Sequence, residues 1–576
     1  MLKLSRFLAP HRRLLVLVLV LAFAQSLGNL LLPRLTSDIV DQGIVKGDQR
    51  AILEVGALML LISMVATVCA IAGSYYSAKV ATGFGRDLRG AIFAGAERLS
   101  IHQFDRFGSA SLVTRTTNDT TQVQQMVIMM LTMVITAPMM AIGGVILALS
   151  QDAQLAWVLI AVMPVMAVVF ALIMRGAVPL STAMQLKIER LNLVLGEGLS
   201  GVRVIRAFDR GNRQRERFDQ ANLDLTNTAI SVNRLIAVLM PALILMLNFT
   251  SVAIIWVASH RIDAGVMQVG AMFSSLQYAM QILFAVFMVT AMFVMLPRAS
   301  ASAARIIEVL DLEPEIAEPT TGSRTPVAGG GHVEFRHVTF QYPGAEEPAL
   351  TGVSFTAHPG EITAIVGGTG SGKSTLAGLI PRFYDAIDGQ VLLDGVDVRE
   401  VTQAGLRARI GFVPQTAVLF SGTVAANIRY GREDASDDEV RHAATVAQAI
   451  DFIEAMPEQF ASPISQGGIN LSGGQKQRLS IARAIVRRPD VYVFDDSFSA
   501  LDFTTDARLR AALRAETAHA TVFIVAQRIS TVITADRIVV LDEGRVVGIG
   551  THAELLKSSE VYREIVSSQV SLDEVA

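Results

Sequence analysis

Gly367-Gly368-Thr369-Gly370-Ser371-Gly372-Lys373-Ser374-Thr375 fits the pattern G-x-x-x-x-G-K-[ST]. The stretch follows the apolar run Ile362 to Val366 and precedes the helical pattern Leu376 to Tyr384, the strand-loop-helix context in which such a loop works. There the glycines let successive backbone N–H groups turn inward as an anion nest at a helix N-terminus. Lys373 brings a charge to the β/γ-phosphates, and the Ser374 hydroxyl can ligate Mg²⁺. In this context the stretch reads as a nucleotide site rather than a chance Gly-rich turn.

Around that loop the chain divides. Its 576 residues exceed a single core, and its 51% apolar content is concentrated in the first half. The formal net charge of -3 gives no global reason to expect a nucleic-acid partner. Cys69, the single cysteine, lies in an apolar run and excludes an internal disulfide framework. A segment rich in Pro and Gly, 313–331, is the expected linker between a membrane domain, 1–312, and a soluble domain, 332–576. Past the linker, strand and helix patterns alternate as in an α/β nucleotide-binding domain.

In the first half, six stretches are long and apolar enough to span a bilayer: Leu14 to Leu32, Val55 to Tyr76, Met126 to Leu149, Leu155 to Met174, Leu235 to Ala258 and Val269 to Leu296. The first follows Lys3, Arg6, Arg12 and Arg13 but is too long for a signal h-region, so a retained span is expected. None of the six contains Asp, Glu, Lys or Arg. Such a charge costs roughly 2.5–3.5 kcal/mol at a span centre and usually marks an ion or proton path, so an ion-coupled carrier is disfavoured. The Lys/Arg-rich segments are the N-terminus, Lys79 to Arg115 and Arg175 to Arg234, which predicts both termini on the cytoplasmic side of a cell membrane. No proline falls between Arg34 and Ala137 or between Leu180 and Met240, so helices should run on past the bilayer. About 25 extra residues would carry a helix roughly 37 Å further. Two segments in these extensions, Phe107 to Asp119 and Glu197 to Arg210, are candidate contact points or ordinary charged helix faces. The spans are rich in Met, which suits either varied apolar ligands or simple packing. Gln25, Asn29, Asn248, Gln277, Tyr278 and Gln281 either line a pathway or bond between helices.

Beyond the phosphate loop come Tyr342 near a first strand, Phe412-Val-Pro-Gln415, Leu471-Ser472-Gly473-Gly474-Gln475, Val491-Tyr-Val-Phe-Asp495-Asp496 leading to Asp502, and Val525-Ala-Gln527-Arg528. This ordered set resembles the ATPase domain of ATP-binding-cassette (ABC) transporters, and Leu-Ser-Gly-Gly-Gln is that superfamily's signature. With six upstream spans, the chain resembles a half-transporter of the bacterial multidrug and lipid exporter type. The resemblance implies a helical six-span transmembrane domain followed by an α/β P-loop nucleotide-binding domain that uses ATP and Mg²⁺. It assigns Tyr342 to the adenine, Gly367 to Thr375 to the phosphates, and Ser374, Gln415 and Asp495 to the metal. It makes Leu471 to Gln475 a contact to nucleotide held by the opposite subunit, and Asp502 part of a loop crossing between subunits. It also makes Arg115, Asp119, Phe208, Asp209 and Arg210 coupling residues.

Two positions depart from the family pattern. Position 496 is Asp where the family usually has the Glu that activates water, and position 527 is Gln where it usually has a His contacting the γ-phosphate. The carboxylate is one methylene short, and misplacing a reacting group by about 1 Å can cost on the order of 10²-fold. A glutamine amide donates a hydrogen bond but carries neither the charge nor the proton of an imidazole. The segment Pro463 to Gly468 also lacks the charges relatives carry there. Binding residues are retained while the catalytic pair, Asp496 and Gln527, is altered. The expectation is therefore a heterodimer in which this chain supplies a hydrolysis-impaired site and an intact signature, exporting small hydrophobic or amphipathic molecules from the bilayer. Alternatives are an ATP-gated channel or regulatory subunit, against which the lack of a charged ring argues, and an importer built on the same fold.

Overall fold

The computed structural model describes residues 2–319 and 330–569, so most of the expected 313–331 linker, residues 320–329, lies outside the described residues. Chain contacts divide the protein into two units: Met1–Glu97 with Phe107–Leu312, and Arg98–Arg106 with Glu313–Ala576.

Six helices of the first unit are long and apolar enough to cross a membrane among the described residues. They are Lys3–Ile44, Gln49–Glu97, Ser109–Gln151, Ala153–Ser200, Gly211–Asp263 and Val269–Val289, the last continuing to Leu310. Helices are the natural answer to such sequences, because a spanning backbone must satisfy its own N–H and C=O groups. The proline-free second helix runs unbroken for 49 residues, about 73 Å at 1.5 Å per residue, against a hydrocarbon core of about 30 Å. After Pro138, which removes a backbone donor, the next five residues, Met139–Gly143, take the wider i→i+5 turn, whereas Pro164 and Pro179 sit inside the continuous helix Ala153–Ser200.

Packing within this unit falls into two clusters. One joins Val80, Phe84, Leu88 and Ile92 of the second span to Val123 and Val127 of the third and Ala303 and Ile306 of the sixth. The other uses small residues, Ala148, Ala156, Ala258, Ala271 and Ala279, that let backbones approach closely. Tyr278, fully buried, donates its hydroxyl to the Leu30 carbonyl (3.2 Å), and Gln281 Nε2 donates to the Asn29 carbonyl (3.0 Å). Of the polar span residues, these two act as ties between the first and sixth spans.

The second unit is built on twelve strands among its described residues: β1 Val333–Phe340, β2 Leu350–Ala357, β3 Ile362–Gly367, β4 Asp388–Leu393, β5 Val396–Asp397, β6 Ile410–Val413, β7 Gly422–Thr423, β8 Pro463–Ile464, β9 Val491–Asp495, β10 Thr521–Val525, β11 Arg537–Asp542 and β12 Arg545–Gly550. The six-stranded sheet runs β12-β11-β3-β10-β9-β6, with β12 antiparallel and the other five parallel; a four-stranded antiparallel sheet runs β2-β1-β4-β5. The central strands are apolar on both faces, as parallel strands covered on both sides must be. Ile365, Val493, Phe523 and Val525 point into the cluster shared with Phe335 and Phe355 of the antiparallel sheet. Val366, Phe494, Val522 and Ile524 point to the opposite cluster, shared with Leu479 and Ile481 of the helix Gly473–Val486. The short segment Arg98–Arg106 belongs to this unit: Ser100 Oγ donates to Glu315 Oε2 (2.6 Å) and Gln103 Nε2 to the Glu313 carbonyl (2.8 Å).

In the first unit, Asp152 uses both carboxylate oxygens. Oδ1 caps the fourth span by accepting from Gln154 N and Leu155 N (2.9 and 3.1 Å), and Oδ2 accepts from Arg261 Nη2 and Nε (2.7 and 3.1 Å) at the end of the fifth. Its side chain is only 6% exposed. Removing one partner of a buried pair strands the other, at a cost of about 3 kcal/mol. Asp152→Ala should lower the melting temperature of the detergent-solubilised protein by several degrees. Asp152→Asn, which keeps the cap and loses the ion pair, should fall between; equal stability of all three forms would show that neither role matters.

Candidate nucleotide-binding site

Parallel pairing brings the C-terminal ends of β3, β10, β9 and β6 into one row, with Asp495 opposite Val525 and Val525 opposite Ile365. Ligands of open α/β sheets sit outside such ends. The phosphate loop leaves β3, Asp495 and Asp496 end β9, Gln527 follows β10 and Gln415 follows β6.

The loop has the glycines its path requires. Gly372 sits at φ +94, and a Cβ there would come within 2.7 Å of the Ala349 carbonyl oxygen. Gly372 then precedes the helix Lys373–Leu379. Lys373, 9% exposed, folds back over the loop and donates from Nζ to the carbonyls of Gly367 (3.0 Å) and Gly368 (2.6 Å). Burial holds its ammonium below the usual lysine value, while Asp496 and then Asp495 pull the other way.

Ser374 Oγ donates to Asp495 Oδ1 at 2.9 Å. Burial raises the Asp495 carboxyl above the ordinary carboxylate value; the Ser374 hydrogen bond opposes this and the neighbouring Asp496 adds to it. A hydroxyl and a carboxylate meeting at one point are hard oxygen donors of the kind Mg²⁺ takes. Among the described residues no group of three or more His, Cys, Asp or Glu could hold a metal. Tyr342 reaches the same loop from the antiparallel sheet: its hydroxyl lies 2.9 Å from Thr375 Oγ1, and its ring packs edge-on against Phe340 and Tyr384.

Asp496, at φ +47 and 9% exposed, is where two further strands meet. Its Oδ2 accepts from Gln415 Nε2 (3.0 Å) and from Gln527 Nε2 (3.1 Å). The sequence marked all three residues but not their mutual bonding.

The signature lies at an exposed helix start. Ser472 caps the helix Gly473–Val486 in a reciprocal box, its Oγ accepting from Gln475 N and Gln475 Oε1 from Ser472 N (3.3 and 2.9 Å). Gly474 is tight against the Ala500 carbonyl, where a Cβ would lie at 3.2 Å, and Leu471 is partly buried beside this helix's core. Asp502 caps the helix Phe503–Glu516 through Thr505 N (3.0 Å), a bond that holds its carboxyl below the usual range.

The expected coupling residues divide into two groups, both in the first unit. Arg115, within a π-turn at Arg115–Asp119, donates to the Arg305 carbonyl (2.5 Å) and Glu308 Oε2 (2.8 Å); Asp119 accepts from Ser302 Oγ (2.9 Å) and Arg305 Nε (2.8 Å). They tie the third span to the end of the sixth. Phe208, Asp209 and Arg210 form the turn after the short helix Val202–Ala207, with Phe208 73% exposed and Asp209 at φ +49. Sequence reasoning missed Ser100 and Gln103, which bond to Glu315 and Glu313 within the second unit. Nothing in their local pattern distinguishes them from an ordinary polar turn.

A phosphate-binding loop on a parallel sheet, joined to six membrane-spanning helices, defines an ATP-driven membrane transporter. The ABC transporter transmembrane region matches residues 15–286 and the ABC transporter family matches residues 350–499. The chain belongs to the ABC transporter family and has the build of an exporter half-transporter. It is 44% identical to an uncharacterized ABC transporter ATP-binding protein of Mycobacterium tuberculosis over 98% of this chain and 97% of that protein. It is 34% identical to an ATP-dependent lipid A-core flippase of Thiobacillus denitrificans over 99% and 98%. Among solved structures, a bacterial Atm1-family ABC exporter with ATP bound superposes with a TM-score of 0.82 at 26% identity, covering 97% of this chain and 98% of that one.

Gly372→Ala should cost at least about tenfold in affinity for a fluorescent ATP analogue, since left-handed strain of about 1–3 kcal/mol adds to the clash. The melting temperature should change little. Unaltered affinity would mean that the loop has room to shift.

Proposed function

We propose that this chain is one subunit of a heterodimeric exporter. Its own site holds ATP and Mg²⁺ but hydrolyses slowly, and its Leu471 to Gln475 segment completes the competent site of a second half-transporter. The observation that carries this reading is the double acceptance at Asp496 Oδ2 from Gln415 and Gln527. A general base must come within hydrogen-bond reach of the proton it takes. Here the shorter carboxylate is engaged by two neutral amides, with Gln527 at the position where an imidazole is usual. The binding apparatus, by contrast, is fully kept: Lys373 in the loop, Ser374 on Asp495, and Tyr342 beside Thr375.

In this reading Tyr342 stacks on the adenine and Gly367 to Thr375 enclose the phosphates. Ser374, Asp495 and the Gln415 amide oxygen hold Mg²⁺, which neutralises phosphate charge when bound. Asp502 and the signature face the other subunit, so that two soluble domains close head to tail while nucleotide is held and part after hydrolysis in the competent site. Arg115 and Asp119, through the sixth span, and the exposed turn Phe208 to Arg210 carry that movement to the spans. The Lys/Arg-rich connections favour cytoplasmic termini in a cell membrane. Charge-free, Met-rich spans support an amphipathic drug-like or lipid-like substrate, and the flippase named among the relatives supports the lipid-like end of that range.

ATP turnover of the chain alone, and together with a candidate partner half-transporter, tests the assignment. Activity should be near zero alone, restored with the partner, and lost again when the partner's catalytic Glu is changed. In the lone chain, the double substitution Asp496→Glu with Gln527→His should raise turnover by about 10- to 100-fold. Turnover of about one per second or more by the lone wild-type chain, abolished in Asp496→Asn, would overturn the proposal in favour of a working homodimer.

A further inference from the structure

Gln569 follows the last described helix of the second unit, Glu560–Ser567, which is anchored by the fully buried Tyr562 and Val566. Its amide makes two bonds to a distant loop: Nε2 donates to the Gln527 carbonyl (2.7 Å), and Oε1 accepts from Ile529 N (2.9 Å). That loop leaves the sheet after Ala526, whose N–H donates to the Ile365 carbonyl (3.2 Å), and re-enters regular structure only at the helix Ile529–Val532. Between those points Gln569 holds one backbone group on each side of Arg528.

The two side chains that the loop carries go to different places. Gln527 reaches Asp496 Oδ2 (3.1 Å). Arg528 donates to the Ser499 carbonyl (3.1 Å) and lies 5.3 Å over the Phe503 ring, on either side of Asp502. Asp496 directly follows Asp495, which accepts from Ser374 Oγ (2.9 Å) beside Lys373, the residue this loop motif aims at the β/γ-phosphates. The Gln527–Asp496 pair therefore lies towards the end of the site where a triphosphate differs from a diphosphate.

We propose that Gln569 is a positioning residue that sets the Gln527 amide over Asp496 and thereby the site's preference for ATP over ADP. The proposal rests on the reading of the site as an ATP site with Gln527 facing the terminal phosphate. With both bonds lost, the loop keeps its strand and its helix but not its clamp, so the change should appear as misplacement rather than unfolding.

The test is equilibrium binding of fluorescent ATP and ADP analogues, with Mg²⁺, to the full-length chain in nanodiscs. Gln569→Ala should weaken ATP binding about 3- to 10-fold, the range of one to two modest hydrogen bonds, and leave ADP binding and the melting temperature unchanged. Gln569→Glu, which keeps an acceptor for Ile529 N but sets an oxygen against the Gln527 carbonyl, should show the same selective loss. Gln527→Ala serves as the reference. If it shows no ATP/ADP split, the phosphate-facing reading of Gln527 fails and the proposal fails with it. If it shows the split and Gln569→Ala does not, the proposal alone is overturned. A parallel fall in both affinities with a lower melting temperature would make Gln569 only a helix anchor and also overturn it.

Discussion

Parallel pairing of β3 with β10, β10 with β9 and β9 with β6 is the constraint on which the soluble domain depends. Each of these strands contributes little polar chemistry of its own. Because they run the same way in fixed register, residues 367, 415, 495 and 527, far apart in the chain, emerge at one edge. A parallel arrangement also requires crossovers, and the apolar alternation of Val493 against Phe494 and Phe523 against Ile524 supplies cover on both faces. The core thus does more than stabilise the domain: it aligns the strand ends from which the candidate site residues Gly367, Gln415, Asp495 and Gln527 depart.

The membrane unit solves the opposite problem. Its apolar stretches exclude charge, and the ion pairs that tie its helices together lie at helix ends and extensions. Asp152 with Arg261 joins the fourth and fifth spans, and Asp119 with Ser302 and Arg305 joins the third and sixth. Within the apolar part, contact depends on alanines and on side-chain bonds to backbone such as Tyr278 to Leu30.

What the sequence made legible follows from locality. The six spans could be read because a bilayer demands about twenty uncharged residues in a row, and the phosphate loop because its glycines, Lys373 and Ser374 are contiguous. The missing prolines foretold the unbroken helix Gln49–Glu97. What escaped was made by side chains meeting across the fold. Arg115 and Asp119 look like an ordinary charged face until Ser302, Arg305 and Glu308 arrive from more than 180 positions away. Ser100 and Gln103 carry no pattern that announces Glu315 and Glu313, and Gln569 has no local feature linking it to Gln527. The π-turns at Arg115–Asp119 and Met139–Gly143 escaped because single-turn bulges leave helical periodicity almost unchanged.

Asp496 joins these two kinds of information. Its identity is readable in the sequence as a carboxylate one methylene short, but its consequence depends on what surrounds it. In an open site, a short carboxylate could be compensated by a bridging water or a shift of backbone. Here the residue is buried, fixed at φ +47, bonded through its N–H to the Val525 carbonyl and held at Oδ2 by two amides. Each restraint limits the movement of the carboxylate. None touches Lys373, Ser374 or the loop that encloses the phosphates. On the proposed assignment this geometry limits the chemical step while leaving binding intact, which is why that assignment calls for a partner whose site hydrolyses.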